Sequence, residues 1–360
     1  AELPGVAEGQ WDLRALIVDG TMRPRARLPK EGRLEHTDEF KVRWMSTTLG
    51  GWERKPTEEE LTTMHYREGD LDRWLDVRNA ELTIYHQWDE SMVGVAQLDD
   101  ATRTVKFSTP SGHPPGAFGN PETGAGTTYV VWNVREGMHE PGQWYLNRTA
   151  GRVVYWPLPG EQMDEIRVVA PSTESVIRIE GSEEEPVGNV TVRGLEITAT
   201  TTPLTAGGFG AGKFDGALSA SHSRGCRFED VVVRNVAGHG MKLDDCREAQ
   251  VAGCEIGPTG AGGLYLSGRG SVVEDCLIKR VGVLYPSAIG LRAGGGGIAI
   301  RHNEIRDTSY SGIAASGGEG TRIEDNLFRR VMCQLHDGAA IYVTFCKGYV
   351  LRGNVTHDVP

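Results

Sequence analysis

Long apolar runs are missing from this chain. Nowhere do about 18 consecutive apolar residues occur, so no segment is expected to cross a membrane as a helix. Positive charge is scarce too: 38 Lys and Arg stand against 49 Asp and Glu, a formal charge of −11. That balance argues against nucleic acid or an anionic membrane surface as partner, since both attract basic patches. No Cys-x-x-Cys pair exists to hold zinc, and six cysteines in 360 residues do not make the framework of a small disulfide-stapled domain. The opening stretch, 1-AELPGVAEGQW, lacks the basic start and apolar core of a signal peptide, which excludes nothing if the start has been trimmed. Tryptophan is absent after Trp156 and cysteine before Cys226, so two architectures are expected in one chain.

Glycine is abundant, 48 of 360, nearly twice the usual ~7%, which points to many tight turns. The first part reads as irregular β-structure, with 82-LTIYHQW-88, 128-TYVVWNV-134, 153-VVYWPL-158 and 165-EIRVVAP-171 separated by Pro, Gly, Asp and Asn. One short helix is expected at 57-TEEELTTM-64, where Thr57 and Glu60 have capping-box spacing. The tryptophans read as core of this part rather than as a sugar-stacking platform.

From about residue 186 an internal repeat sets in: 194-GLEI, 226-CRF, 254-CEI, 276-CLI, 303-NEI, 326-NLF and 354-NVT, at intervals of 32, 28, 22, 27, 23 and 28 residues. Between these markers recurs a second strand, 216-GALSA, 240-GMKL, 263-GLYL, 288-AIGL, 312-GIAA and 339-AAIYV. Each unit holds at least two short strands and none shows sustained 3.6-residue periodicity, so the units bury their apolar faces only by stacking, about 4.8 Å per rung. The expected fold is all-β: a right-handed parallel β-helix, a pectate-lyase-like solenoid, over 171–360, with a β-sandwich-like domain over 1–170. Cys226, Cys254, Cys276, Asn303, Asn326 and Asn354 are expected to form one internal ladder of buried thiols and turn-bonding amides, not a site.

A β-helix has no interior cavity, so chemistry is expected in an outer groove. Just before the second repeating strand stand Asp215, His239, Ser287, Ser311 with Tyr310, and Asp337; just after it stand Asp244 and Asp245. Tyr265, Tyr285, Tyr310 and Tyr342 could offer faces to sugar rings. Paired carboxylates for glycoside hydrolysis lie about 5–5.5 Å or 6.5–9.5 Å apart. Asp215 and Asp337, five strands apart and so about 24 Å, cannot be partners; Asp307 is the nearest upstream carboxylate to Asp337 outside the recurrent Glu-Asp corner pairs. His239, in 238-GHG-240, reads either as a ligand donor or as a turn histidine. Position alone lets Asp337 be the Asp of an Asp-Gly turn.

Several stretches carry a resemblance: 17-IVDGTMRPRARLPKEG-32, 66-YREGDLDRW-74, 140-EPGQWYLNRTAGRVVYWPLPGE-161, 260-GAGGLYLSG-268, 302-HNEIRDTSYSGI-313 and 337-DGAAIYV-343. In these the chain resembles bacterial right-handed parallel β-helix glycoside hydrolases, glycoside hydrolase family 141 and more distantly family 120. The resemblance implies a sandwich-like domain inserted into early coils, plant- or algal-type polysaccharide or oligosaccharide substrates, carboxylate-mediated hydrolysis, and a secreted or periplasmic protein. It implies that Asp337 is catalytic. The expected site is therefore Asp337 and Asp307, with His336, Tyr310, His239, Asp215, Asp244 and Tyr342 binding substrate. Members of the family continue past the segment seen here as 354-NVTHDVP-360, so the sequence is expected to be an excerpt whose second carboxylate lies beyond Pro360.

The alternatives are a polysaccharide lyase or uronate epimerase on the same fold, and a noncatalytic carbohydrate-binding β-helix. The first needs cations to neutralise a uronate, and Lys242, Arg269, Arg292 and Arg301 are scattered in the sequence. No cofactor is expected; calcium at the Asp244–Asp245 loop is allowed, but no ligand spacing demands it. The expected partner is the carbohydrate alone, bound by a monomer.

Overall fold

Short β-branched runs between glycine corners cannot each bury an apolar face alone, and in the second half of the chain they do so by stacking. The computed structural model describes residues 1–46, 50–120 and 126–359. The chain divides into two units, residues 1–168 with 203–208, and residues 169–202 with 209 onward.

The second unit is a parallel β-helix. Its first sheet climbs from Ile177–Glu180 through Gly216–Arg224, His239–Arg247, Leu264–Arg269, Leu291–Gly296 and Ile313–Ser316 to Ile341–Thr344. The second runs from Thr191–Arg193 to Val350–Arg352 and the third from Glu196–Thr200 to Val355–His357, each with seven rungs. Leu218, Met241, Leu264, Leu291 and Ile313 share one inward column of the first sheet and are buried. Each such side chain contributes about 1.5–3 kcal/mol of burial. Corners next to this column admit almost no side chain: a Cβ on Gly290 would lie 2.6 Å from the Gly312 carbonyl, and one on Gly312 2.7 Å from that of Ala340.

At the corner into the third sheet runs an internal ladder. The Asn303, Asn326 and Asn354 side-chain amides donate to the carbonyls of Val273, Ile300 and Ile323, at 3.0, 3.0 and 2.7 Å. The Cys254 and Cys276 thiols reach the corresponding carbonyls of Phe228 and Val251, at 3.4 and 3.7 Å. The Oδ1 of each asparagine also accepts from the backbone N–H of the residue one rung below, as Asn326 Oδ1 does from the Asn303 N–H at 3.0 Å. Cys226 is not part of this ladder, contrary to the sequence reading. It precedes Arg227–Glu229 of the second sheet, whereas Cys254 precedes Glu255–Ile256 of the third. Both cysteines stand before an apolar-alternating tripeptide, so the local pattern could not tell one corner from the other.

The first unit is built on an antiparallel sheet in the order Arg27–Leu28, Thr128–Trp132, Glu81–Tyr85, Glu90–Asp99, Thr104–Phe107 and Thr63–His65, with Leu34–Glu35 also on Thr128–Trp132. Leu82, Ile84, Val93, Val105, Tyr129 and Val131 make its core. The expected helix is present at Glu58–Thr62, and Thr57 and Glu60 cap it reciprocally. At the start of Glu81–Tyr85, the buried Glu81 carboxylate is paired with Arg14, Arg25 and Arg148. Trp144 is fully buried, while Trp44 and Trp52 pack edge-to-face, 4.8 Å apart.

Candidate functional site

Register places side chains on the outer face of the first sheet that are far apart in sequence. One outward column reads Arg178, Ser219, Lys242, Tyr265, Arg292, Ala314 and Tyr342. Lys242 and Arg292 flank Tyr265 from neighbouring rungs, with Nζ 5.6 Å and the guanidinium carbon 5.1 Å from the ring centroid. Such contacts contribute about 0.5–1 kcal/mol at exposed sites and more when desolvated. The cations that look scattered in sequence are therefore partly gathered.

A short loop lies against this face. Within the second unit, Lys242 Nζ donates to the carbonyls of Gly212 and Phe214 at 3.0 and 2.9 Å, and Arg292 donates to that of Phe209 at 3.3 Å. A side chain at Gly212 would crowd the cation: its Cβ would lie 2.8 Å from Arg292 Nη1, so the Arg292 head would have to shift. Phe209 also stands edge-to-face with Tyr310, 6.3 Å between centroids, and the Tyr310 hydroxyl donates to the Asp337 carbonyl at 2.7 Å. A continuous run of contacts thus leads from Arg292 to the corner that carries Asp337.

That corner is built to hold its backbone. Asp337 has φ of 60°, in the left-handed region, and is exposed along with His336. A Cβ on Gly338 would lie 2.6 Å from the Tyr310 ring and 2.7 Å from both Met332 Sδ and Ser311 Oγ, so glycine is required after the aspartate. The Asp-Gly turn is real, and it turns the residue toward solvent while the main chain is pinned.

The other sequence candidates fall elsewhere. Asp307, at the end of Glu304–Thr308 in the third sheet, accepts from Arg330 Nε at 2.6 Å and from Arg306 at 3.4 Å, so two guanidiniums already engage its carboxylate. Tyr310 and Tyr285 are buried and offer no face to a sugar. The Tyr285 hydroxyl instead pairs with Thr202 at 2.7 Å. Tyr265 is partly exposed but carries the two cations, and Tyr342 is the one of the four that is 36% exposed.

His239 is also buried, contrary to a role as a surface donor: its Nε2 donates to the Ala211 carbonyl at 3.0 Å, and Nδ1 faces Gly262 without a hydrogen-bond partner. Burial, then the nearby Lys242 charge, pushes its pKa down to about 3, so the ring is neutral. Asp244 is exposed and accepts from Ser267 Oγ at 2.6 Å; Asp215 is ion-paired with Arg178. Among the described residues no group of three or more His, Cys, Asp or Glu is placed to hold a metal ion.

Sequence reasoning missed Glu174. It lies four residues before Arg178, as Asp215 lies four before Ser219, and Arg178 and Ser219 are register partners. The two carboxyls are neighbours on adjacent rungs. Partial burial first, and the Asp215 charge second, raise the Glu174 pKa against the pull of Arg178. Only the exact register, not the repeat length, could have revealed this.

A family model described as "Right handed beta helix region" matches residues 216–359. No curated protein matches the sequence. A solved structure described as a glycoside hydrolase superposes with a TM-score of 0.75 at 17% identity, covering 97% of this chain and 69% of that one. The enzymatically active domain of tailspike protein 2 from bacteriophage CBA120 gives 0.37 at 14% identity, covering 46% of this chain and 24% of its own. The A-module of mannuronan C-5 epimerase from Azotobacter vinelandii gives 0.29 at 12%, covering 48% and 56%. The stacked parallel sheets and the matched region together make the fold of the second unit a right-handed parallel β-helix.

Proposed function

We propose that this protein is a carbohydrate-active enzyme, a glycoside hydrolase that takes a plant- or algal-type polysaccharide or oligosaccharide along the outer face of the first sheet. The observation that carries the proposal is the outward column ending in Tyr342, next to an aspartate whose main chain is pinned and whose carboxylate is exposed. The fold shared with a glycoside hydrolase over 97% of the chain supports it. Tyr342 gives a sugar ring an apolar surface, and Asp337, as acid, base or nucleophile, acts on the glycosidic bond. Asp307, bound by two guanidiniums, fits holding the corner better than proton transfer.

A second reading, a polysaccharide lyase or uronate epimerase, is favoured by one observation: Lys242 and Arg292 flank Tyr265 and could neutralise a uronate. The two readings separate by product. A reducing-end assay over a panel of neutral and acidic glycans detects hydrolysis, and ultraviolet absorbance of an unsaturated sugar detects elimination. New reducing ends without that absorbance support the hydrolase; absorbance rising in step with cleavage overturns it.

A further inference from the structure

We infer that Lys242, Tyr265 and Arg292 form a subsite for an anionic substituent on a sugar, a uronate carboxylate or a sulfate ester. The inference rests on the outer face of the first sheet being the glycan-binding face and adds the charge class of the glycan.

Both cations lack counter-ions, as do Lys213, Arg269, Arg280 and Arg329 among the described residues of the β-helix; what sets Lys242 and Arg292 apart is that they share one ring. In a chain of net charge −11, many basic residues of the β-helix find acids, among them Arg178 with Asp215, Arg224 with Glu248, Arg301 with Glu274 and Arg330 with Asp307. Among the described residues neither Lys242 nor Arg292 has a carboxylate partner, and the Tyr265 hydroxyl has no hydrogen-bond partner. All three side chains are partly exposed.

Their donors are only partly used. Lys242 spends two N–H groups on the Gly212 and Phe214 carbonyls, and Arg292 spends one Nη on the Phe209 carbonyl. One ammonium proton and most of the guanidinium fork are left over. The contacts already made fix both side chains, so little rotamer freedom remains to be lost when an anion binds, and a planar fork suits a carboxylate or sulfate bidentately. The ring between them is apolar, so the arrangement offers an anion two charge-assisted donors beside a hydrophobic surface. His239, buried beneath and neutral, adds no charge of its own. Arg292 lies two rungs, roughly 10 Å, from Tyr342, so a glycan anchored there by its anion can extend along the sheet toward Asp337.

The test is titration calorimetry of the protein with two matched pairs of oligosaccharides. One is an oligogalacturonate and its methyl ester, the other a sulfated galactan oligomer and its desulfated form. At low salt at least one acidic member binds about tenfold or more tighter than its neutral partner, and the preference shrinks as salt rises. Arg292→Gln removes most of that preference without changing the affinity for the neutral member, and Arg292→Lys retains part of it; unfolding curves show that both variants fold. Preference for the ester pair alone names a carboxylate, and for the sulfate pair alone a sulfate. Equal binding of acidic and neutral members, no binding of any acidic member, or an Arg292→Gln loss shared equally by both members overturns the subsite. Hydrolysis of neutral glycans that persists beside such a result leaves the hydrolase proposal standing. Acidic preference without turnover of any glycan leaves the subsite and overturns the hydrolase.

Discussion

Replacing Glu81 by glutamine removes one of the two carboxylates, the other being Asp12, that pair with a knot of buried guanidiniums in the first unit, and its cost can be worked out. The Glu81 side chain is fully buried, as is that of Arg14 at 3.3 Å; Arg25 and Arg148 also pair with it. Burial alone would raise the Glu81 pKa, but the charges of Arg14, Arg25 and Arg148 outweigh it and hold the carboxyl well below the usual range. Glutamine keeps the shape and loses the charge, leaving cations in a low-dielectric site. Breaking a buried pair in this way costs about 3–5 kcal/mol. For a unit of this size that corresponds to a drop in Tm of roughly 6–20 °C.

All eight tryptophans lie between Trp11 and Trp156, so tryptophan fluorescence during thermal or urea unfolding reads the first unit by itself. The pH dependence gives a second reading with a definite sign. Because the folded carboxyl is depressed, its contribution is complete above the unfolded value near 4.3 and is lost as pH falls below it. Wild-type stability should therefore fall faster than that of Glu81→Gln on acidification below about pH 4. A variant within about 1 kcal/mol of wild type, or parallel acid slopes, would refute the reasoning.

Two further outcomes follow from the β-helix. Asn326→Ala removes the amide that donates to the Ile300 carbonyl and the Oδ1 that accepts from the Asn303 backbone N–H, and should destabilise the second unit by about 2–4 kcal/mol, whereas Asn326→Cys, matching Cys254 and Cys276 on lower rungs, should cost less; urea unfolding followed by circular dichroism compares them. His239 has a folded pKa of about 3 against an unfolded value near 6.5, so its contribution is complete above about pH 6.5 and erodes as pH falls toward 3, by at most ~1.4 kcal/mol per pH unit. His239→Gln should flatten that slope in hydrogen exchange of the amides of His239–Arg247, and an unchanged slope would contradict it.

The repeat was legible because inward residues alternate along each strand and glycine marks each corner. The column Leu218, Met241, Leu264, Leu291 and Ile313 is the column the second repeating strand pointed to. What the sequence concealed was the exact register and the loop that lies over the sheet. Cys226 was placed one corner too late because two corners share the same short pattern. Tyr310 and His239 looked exposed because residues 209–214, which cover them, belong to a connection without periodicity. Lys242 and Arg292 looked scattered because only a rung-by-rung alignment, across coils of 23 and 27 residues (265 − 242 and 292 − 265), brings them to the same ring. The exposed Asp-Gly corner, by contrast, could be read from its local residues.

The most direct test of the central claim is turnover by Asp337→Asn measured beside wild type in a reducing-end assay on the best glycan of the panel. The substitution keeps the size of the side chain and leaves the Tyr310 contact, which is made to the backbone carbonyl, in place. If Asp337 is the catalytic carboxylate, kcat falls by about 10²-fold or more while unfolding curves stay unchanged. Wild-type turnover by the variant would contradict the account.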